Sequence, residues 1–269
     1  MRTDDWRSSR VLLTGASVGI GREIALQLAA RGARLVLAAR DEAKLAEVAA
    51  LCRENGGEAT VLRADVGAQV DCLALVDRAV EALGGLDVLF LNAGQDMWSR
   101  LDELADPEIF ERLMRVNYLG PAWLTWRALS HLKASHGRIV VMSSLAGLTG
   151  VPTRTGYAAT KHALQGFYDS LRVELRGSGV SVTIVCPDFV VSEIHRRALG
   201  PDGRPLGTSP MNEGKIMTAE RCAELAIDAA AKRKRMVLLS LRGKVGRYFR
   251  PFVPGLIDSI AERSVARGH

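Results

Sequence analysis

Cysteine is scarce in this 269-residue sequence, which contains only Cys52, Cys72, Cys186 and Cys222. The four stand singly, without the close pairs that zinc sites and disulfide frameworks use. The histidines show no metal-ligand spacing either. The sequence therefore predicts no metal site, and its isolated thiols favour a reducing, cytoplasmic compartment.

Long apolar runs and a secretory leader are also missing. No stretch approaches the roughly 18 consecutive apolar residues of a membrane-spanning helix. The first ten residues, MRTDDWRSSR, are polar and lack the apolar segment of a signal peptide. We expect a globular protein without a transmembrane segment, long enough to bury a sizeable core.

The positive charge is concentrated near the C-terminus. The formal net charge is +6, and the stretch from Lys232 onward contains ten Lys or Arg against two Asp or Glu, a local excess of +8. Such a stretch attracts anionic lipid, nucleic acid or an acidic ligand, or is simply a solvated basic surface. Nucleic acid is the disfavoured partner.

Seven short apolar runs alternate with longer stretches of helical character. Continuous apolar runs of this length are typical of strands that are buried on both faces. The alternation predicts an α/β protein with one Rossmann-type, doubly wound parallel sheet of about seven strands and helices on both faces. The predicted strands are 10–14, 34–39, 58–64, 86–91, 137–143, 179–186 and 235–240.

No domain boundary interrupts this pattern. The predicted helices are 19–31, 41–55, 69–83, 106–134, 156–176 and 218–232. The stretch 188–217 is rich in Pro, Gly and charge and is interpreted as a loop excursion near the substrate. We predict a nucleotide-binding catalytic domain over 1–242 and a basic, amphipathic C-terminal extension over 243–269.

The stretch TGASVGIG, at 14–21, follows the first strand and opens the first helix. Its glycines permit a tight turn and a close approach of the backbone, and the helix N-terminus attracts a pyrophosphate. A tight turn without a ligand is the ordinary alternative. The predicted dinucleotide contacts in this turn are Gly15, Ser17, Gly19, Ile20 and Gly21.

The end of the second predicted strand indicates which nucleotide is bound. A carboxylate at this position selects NAD, but here Ala39 is followed by Arg40. An arginine fork holds a 2′-phosphate through two hydrogen bonds. Asp41 is interpreted as the N-cap of the next helix rather than as a ribose ligand. The sequence therefore predicts NADP(H), with NAD(H) as the less favoured cofactor.

Ser144, Tyr157 and Lys161 form a candidate catalytic group. Tyr157 and Lys161 are four residues apart and share one face of a helix. A nearby ammonium lowers the pKa of a phenol, which can then act as general acid or base. Ser144 ends a strand at the edge where open α/β sheets bind ligands, and its hydroxyl is suited to hold a substrate oxygen.

Five motifs in this order resemble the short-chain dehydrogenase/reductase family over roughly residues 10–240. They are TGxxxGxG, NAG at 92–94, Asn117 within a helix, Ser144, and the YxxxK that begins at Tyr157. The stretches YAATKHALQGFYDSLRVEL and VMSSLAG resemble the branch that contains 11β-hydroxysteroid dehydrogenases and related lipid- or steroid-acting reductases.

The resemblance implies a role for each matched residue. Tyr157 would exchange the proton, Ser144 would hold the substrate oxygen, and Lys161 would also bind the nicotinamide ribose. Asn117 would complete a catalytic tetrad by holding a water near the lysine. The remaining implied cofactor contacts are Asp65 and Val66 at the adenine, Asn92, Ala93 and Gly94 at the adenosine, and Pro187, Val190 and Ser192 at the nicotinamide.

Two positions depart from the family pattern. Asp188 stands where a glycine usually follows the proline, and a non-glycine residue there makes a strained backbone less easy. Leu91 replaces the first asparagine of the usual NNAG. Neither departure touches the tetrad.

The expected function is NADP(H)-dependent interconversion of a carbonyl and a secondary alcohol on a lipophilic substrate. Predicted pocket walls are Met97 and Trp98, 145–151, and the excursion 189–217. The alternative is a catalytically silent protein that senses NADP(H) or associates with nucleic acid or membrane. A screen for NADPH-dependent turnover distinguishes the two classes.

The apolar stripe near the C-terminus, at 249, 252, 253, 256, 257 and 260, has three interpretations. It suits an anionic membrane surface, a cover over the substrate pocket, or packing on a second subunit. The resemblance further implies a homodimer or homotetramer formed through the helices near 106–134 and 156–176.

Overall fold

A computed structural model describes residues 6–267, so the outermost residues of the two predicted segments, 1–5 and 268–269, lie outside the described residues. Seven strands form one parallel sheet in the order β3-β2-β1-β4-β5-β6-β7, which confirms the predicted architecture. The strands are β1 (Arg10–Thr14), β2 (Arg34–Ala39), β3 (Glu58–Arg63), β4 (Val88–Leu91), β5 (Arg138–Met142), β6 (Ser181–Cys186) and β7 (Met236–Leu238).

Helices connect successive strands and continue beyond the last one. They are α1 (Gly19–Ala29), α2 (Glu42–Glu54), α3 (Gln69–Leu83), α4 (Glu108–Met114), α5 (Gly120–Ala134), α6 (Thr155–Glu174), α7 (Glu193–Arg196), α8 (Ala219–Ala231), α9 (Leu241–Phe249) and α10 (Pro254–Arg267). Within residues 6–267, none has both the length and the apolar character to cross a membrane.

The helix expected over 106–134 contains one irregular turn. Residues Arg115–Leu119 form a π-helical turn between α4 and α5. Such turns are frequent at functional sites because they insert one extra residue into the helix. This turn contains the buried Asn117, so the irregularity lies where the sequence places a site residue.

Alternation along the strands divides the core between the two faces of the sheet. In β1, Val11 and Leu13 pack with residues of α1, α2 and α8, whereas Leu12 packs with residues of α3, α5 and α6. Both faces are covered, which explains why the strand sequences are almost continuously apolar.

The parallel direction of the strands places the chemically important loops together. The chain leaves β1, β4, β5 and β6 at the same edge of the sheet. The order reverses at β1, where the chain builds outward to β3 on one side and to β4 on the other. The crevice at this switch point is where doubly wound sheets bind their ligands.

Candidate active site

The glycine turn after β1 is packed too tightly for side chains. Gly15 has a φ of 67°, in the left-handed region that favours glycine. A Cβ on Gly21 would lie 2.0 Å from the Gly15 carbonyl oxygen and 2.5 Å from Asn92 Nδ2. Both positions therefore require glycine, for reasons of conformation and of space respectively.

Asn92 and Thr14 join this turn to the end of β4. Asn92 Nδ2 donates to the carbonyl oxygens of Thr14 (3.2 Å) and Gly15 (3.1 Å). In return, Thr14 Oγ1 accepts the backbone N–H groups of Asn92 (3.1 Å) and Ala93 (3.2 Å). These bonds fix the start of α1 relative to the sheet edge, and no side chain caps that helix end.

A cleft of about 430 Å³ runs across the edge from this turn to Tyr157. Most of the sequence-predicted site residues line it. They are Gly15, Ser17, Gly19, Ile20, Arg40, Asp65, Val66, Asn92, Ala93, Gly94, Ser144, Tyr157, Lys161, Pro187, Val190 and Ser192. The two exceptions, Gly21 and Asn117, are buried behind the wall.

Arg40 and Asp41 follow β2 at one end of the cleft, and both line it. Asp41 Oδ1 accepts the Lys44 N–H at 3.1 Å, which confirms that Asp41 caps α2. Asp41 Oδ2 also lies 3.8 Å from Lys44 Nζ. Arg40 is exposed and pairs with no acidic residue in the described part of the chain, so its guanidinium is available to an anion.

Ser144, Tyr157 and Lys161 meet at the other end of the cleft. Ser144 Oγ accepts the Ala146 N–H at 3.1 Å, which leaves its own hydroxyl proton to donate. Lys161 Nζ lies 5.5 Å from the Tyr157 ring centroid and donates to the Met142 carbonyl at 2.9 Å. The strand end and the helix thus deliver the three side chains to one place.

Burial dominates the electrostatics of this group. It raises the pKa of Tyr157, an effect that Asp96 reinforces and that Arg154 and a hydrogen bond from Ser144 oppose. Burial also lowers the pKa of Lys161 to about 8. Arg154 is thus a second cation beside Tyr157, one that the sequence did not indicate, and it acts to lower the Tyr157 pKa.

Asn117 is held by the loop after β4. Its Oδ1 accepts the Gln95 N–H at 2.8 Å, and its Nδ2 donates to the Gln95 carbonyl (2.8 Å) and to Thr160 Oγ1 (3.1 Å). A Cβ on Gly94 would lie 3.4 Å from Asn117 Oδ1 and 3.9 Å from Lys161 Nζ. Asn117 therefore connects α6 to the NAG loop, close to the lysine.

A second cavity, of about 400 Å³, adjoins the cleft and is mostly apolar. Of the predicted wall residues, it is lined by Leu145, Ala146, Leu148, Thr149, Val151 and Phe189, together with residues of α9 and α10. Residues of α9 and α10 therefore form part of this wall, but of the predicted apolar stripe only Ile257 and Ile260 line the cavity. Met97 and Trp98 are not in its wall, because Met97 is buried in a small core cluster and Trp98 stacks on Arg154.

Asp188, one of the two departures from the family pattern, binds the start of α9 beside this cavity. Its backbone φ is not positive, so the strain considered from the sequence does not arise. Its carboxylate accepts hydrogen bonds from Ser240 Oγ (2.9 Å) and from Arg242 Nη2 (2.7 Å) and Nε (3.1 Å). The carboxylate thus ties the start of α9 to the end of β6.

A buried cluster of three charged or titratable residues in the cleft wall was missed by sequence reasoning. Asp96, Arg154 and His195 come from three different segments and meet beside Tyr157. The only signals were that Asp96 follows the NAG motif by two residues and that Arg154 precedes Tyr157 by three. Nothing in the sequence pointed to His195.

The fold and the site are those of a dinucleotide-binding α/β enzyme, and comparison with known proteins agrees. A family profile for short chain dehydrogenases matches residues 9–200. An 11-beta-hydroxysteroid dehydrogenase of Pinus massoniana is 34% identical over 262 residues, covering 95% of this chain and 73% of that protein. The chain belongs to the short-chain dehydrogenase family and is an oxidoreductase.

Two solved structures are similar over most of the chain. A short chain dehydrogenase/reductase of Burkholderia phymatum, in complex with NAD, superimposes with a TM-score of 0.82 at 28% identity, covering 94% of this chain and 96% of its own. An alcohol dehydrogenase of Thermococcus sibiricus, complexed with 5-hydroxy-NADP, gives 0.74 at 27% identity, with 86% and 95% covered.

Gly21→Ala tests the packing of the turn. The added Cβ would overlap the Gly15 carbonyl and Asn92, so we expect a fall in thermal stability and at least ~10-fold weaker dinucleotide binding. NADPH fluorescence titration and thermal unfolding measure the two effects. Gly166→Ala is the matched control, because a Cβ there meets nothing within 4 Å. Unchanged binding by Gly21→Ala would contradict the described packing.

Proposed function

We propose that the protein interconverts a carbonyl group and a secondary alcohol on a lipophilic substrate, with NADP(H) as cofactor. One observation carries the proposal. Ser144 lies in the wall of both the polar cleft and the apolar cavity, and Tyr157 lies beside it in the cleft. A substrate that fills the apolar cavity would therefore bring its oxygen to Ser144 and Tyr157.

The residues of the cleft fit a nicotinamide dinucleotide. The open N-terminus of α1, which begins at Gly19 and follows the turn at Gly15, would hold the pyrophosphate. Ser192 packs against this turn, since a Cβ on Gly19 would lie 3.2 Å from the Ser192 Cβ. Lys161 and 92–94 line the same wall, as a bound ribose requires. When bound, the cofactor supplies or accepts a hydride at the substrate carbon.

Side chains of the protein bind the substrate oxygen and exchange a proton with it. In the reductive direction, the Ser144 hydroxyl donates a hydrogen bond to the oxygen as negative charge develops there. Tyr157 transfers its phenolic proton to that oxygen as general acid. In the oxidative direction, the ionised Tyr157 accepts the alcohol proton. Lys161 and Arg154 supply the positive charges near the ring.

The preference for NADP(H) rests on Arg40. This exposed side chain lines the cleft where the adenosine ribose of a dinucleotide would lie, and the neighbouring carboxylate, Asp41, is engaged by Lys44. A guanidinium without an acidic partner in the described residues suits a 2′-phosphate better than a ribose hydroxyl. The nucleotides bound by the two solved neighbours support a nicotinamide cofactor, and the preference for NADP(H) over NAD(H) is based on Arg40.

The proposal of a lipophilic substrate is based on the apolar cavity. Its volume of about 400 Å³ is within the range of small-molecule sites, and leucine, valine and isoleucine side chains form much of its wall. The charged residues in that wall are Arg154, Asp188, Arg242, Arg247 and Arg250. The name of the Pinus massoniana relative supports a steroid or another bulky carbonyl compound. The carbonyl end would face Ser144.

We further propose that the protein assembles as a homodimer or homotetramer in the cytoplasm. Trp126 on α5 and Val173 on α6 are exposed apolar side chains on the two helices expected to pair between subunits. All four cysteines are buried free thiols, which suits a reducing compartment. Light scattering at several protein concentrations tests the assembly, and a monomer throughout would contradict it.

Tyr157→Phe tests the chemistry. Removing the phenolic oxygen leaves the ring in place, so turnover should fall by at least ~100-fold while NADPH affinity stays within about twofold. NADPH absorbance during turnover of bulky ketones measures the first quantity, and NADPH fluorescence titration measures the second. Tyr168→Phe, on the same helix but outside the cleft, serves as the control. Turnover that survives in Tyr157→Phe would refute the assigned proton donor.

Arg40→Ala tests the choice of cofactor. Loss of the guanidinium should weaken NADPH binding by ~10-fold or more and leave NADH binding nearly unchanged, because charge-assisted phosphate contacts are strong. Titration of both nucleotides into both proteins measures the ratio of affinities. Equal affinity of the unaltered protein for NADPH and NADH would overturn the preference.

Phe252→Ser/Leu256→Ser tests contact with a membrane surface, which we propose for the outer faces of α9 and α10. Phe252 and Leu256 are 82% and 59% exposed, in a C-terminal segment that also contains the cations Lys244 and Arg247. Co-sedimentation with anionic vesicles should fall by at least ~10-fold in the double variant, because each apolar side chain contributes about 1.5–3 kcal/mol when buried.

Val70→Ser is the matched control for this measurement, since Val70 is 78% exposed on α3, away from the C-terminal helices. It should co-sediment as the unaltered protein does. Equal co-sedimentation of the unaltered protein and the double variant would remove the membrane proposal.

A further inference from the structure

A buried ion pair lies beside the catalytic tyrosine. Arg154 Nη1 is 3.1 Å from Asp96 Oδ2, and the two side chains are 6% and 1% exposed. Burying two charges costs several kcal/mol per ion, and a pair repays this only with good geometry. Among the described residues, Arg154 Nε has no hydrogen-bond partner. The pair is therefore poorly explained as a device for stability alone.

Arg154 is positioned to act on Tyr157. It immediately precedes α6, and its carbonyl accepts the Ala158 N–H at 2.8 Å. Residues three apart share a helix face, so its side chain lies on the side of α6 that carries Tyr157. The guanidinium carbon is 5.9 Å from the centroid of the Tyr157 ring.

Aromatic rings hold the guanidinium from two further segments. Its carbon lies 4.5 Å from the Trp98 ring centroid and 5.1 Å from that of Phe189. Cations are attracted to the faces of aromatic rings at such distances. Together with Asp96, these rings leave Arg154 little freedom to move.

His195 completes the cluster from the excursion after β6. Its Nδ1 lies 3.5 Å from Arg154 Nη2 and 3.9 Å from Asp96 Oδ2, and its Nε2 lies 3.1 Å from the Val190 carbonyl oxygen. Burial and the charge of Arg154 lower the pKa of His195 to about 4. The imidazole is therefore neutral near pH 7. Burial raises the pKa of Asp96, whereas the charge of Arg154 and the hydrogen bond from the Met97 N–H oppose this rise and favour the ionised carboxylate.

The two charges act on Tyr157 in opposite senses. Asp96 raises the pKa of the phenol and Arg154 lowers it. The titratable, charged or hydrogen-bonding groups that face Tyr157 from the surrounding segments are Asp96 after β4, Ser144 after β5, Arg154 and Lys161 of the α6 segment, and Cys186 at the end of β6.

We propose that Arg154, held by Asp96, is a positioning residue for Tyr157: it fixes the ring at the start of α6 and presents a positive charge to it. This inference rests on the proposed function, because it concerns proton transfer by Tyr157. It also explains why Arg154 lines both the polar cleft and the apolar cavity, where the substrate oxygen would pass.

The test measures kcat against pH for alcohol oxidation, in which the ionised tyrosine is the base. Arg154→Met removes the cation, so the pH at which kcat rises should increase by about one unit or more. At neutral pH, kcat should therefore be at least ~10-fold lower. Asp96→Asn removes the carboxylate, so the pH at which kcat rises should decrease. The KM for NADP⁺ should stay within about threefold in both.

Opposite shifts distinguish positioning from a merely structural role, which would weaken both variants without moving their profiles apart. Arg154→Lys retains a cation and should recover much of the kcat and the original profile. If Arg154→Met does not fold, Asp96→Asn and Arg154→Lys still decide the question. An unmoved profile in Asp96→Asn, or an Arg154→Lys profile that shifts upward as far as expected for Arg154→Met, would overturn the inference.

Arg10→Met is the matched control. Arg10 and Asp87 form another Arg–Asp pair, 2.7 Å apart, at the opposite end of β1. Its loss should lower thermal stability and leave the pH profile unchanged. Turnover by the unaltered protein that disappears in Tyr157→Phe establishes the proposed function separately. If the unaltered protein turns over no alcohol or ketone, both proposals fail, whereas turnover with unmoved profiles removes only the role of Arg154.

Discussion

The parallel pairing of β4 with β1 on one side and with β5 on the other is the constraint on which the site depends. Leu13 lies opposite Phe90, and Phe90 lies opposite Val140. This register brings the ends of the three strands to one edge, where the glycine turn, the NAG loop and Ser144 follow. A slip of one residue would turn every side chain of a strand to the other face. The apolar core on both faces therefore also fixes the geometry of the site.

The same packing buries the ionisable side chains of Tyr157 and Lys161 at this edge of the sheet. Burial favours the neutral form of each, raising the pKa of Tyr157 and lowering that of Lys161 to about 8. Proton transfer in such a place depends on charges that the protein fixes nearby, because water does not solvate the ions that form. The Asp96–Arg154 pair places one fixed charge of each sign beside Tyr157.

Much of the fold could be predicted because its signals are local. Buried parallel strands are apolar throughout, so 10–14 and 34–39 were located at their observed bounds. The candidate catalytic group could be proposed from the sequence because Tyr157 and Lys161 are separated by about one helical turn. The π-helical turn around Asn117 has no comparable local signal, since it depends on contacts with Gln95 and Thr160.

The buried cluster was missed for a physical reason. An isolated aspartate, arginine or histidine in a sequence is most simply assigned to the surface, because unpaired charges are costly to bury. Asp96, Arg154 and His195 become partners only when three loops meet at the sheet edge. Pairing of this kind is a property of the tertiary structure, and a single sequence contains no periodicity that reveals it.

The position of Asp188 shows how one substitution changes the role of a segment. In the sequence, Asp188 stands where the family usually has glycine, which indicates a possible strain of the backbone at this position. In the structure it accepts hydrogen bonds from Ser240 and Arg242 and so joins β6 to α9. The contact also involves the substrate cavity, because Asp188 lines both the cavity and the cleft. The C-terminal helices are thereby attached where the reaction would take place, and the shape of the cavity depends on them as much as on the sheet.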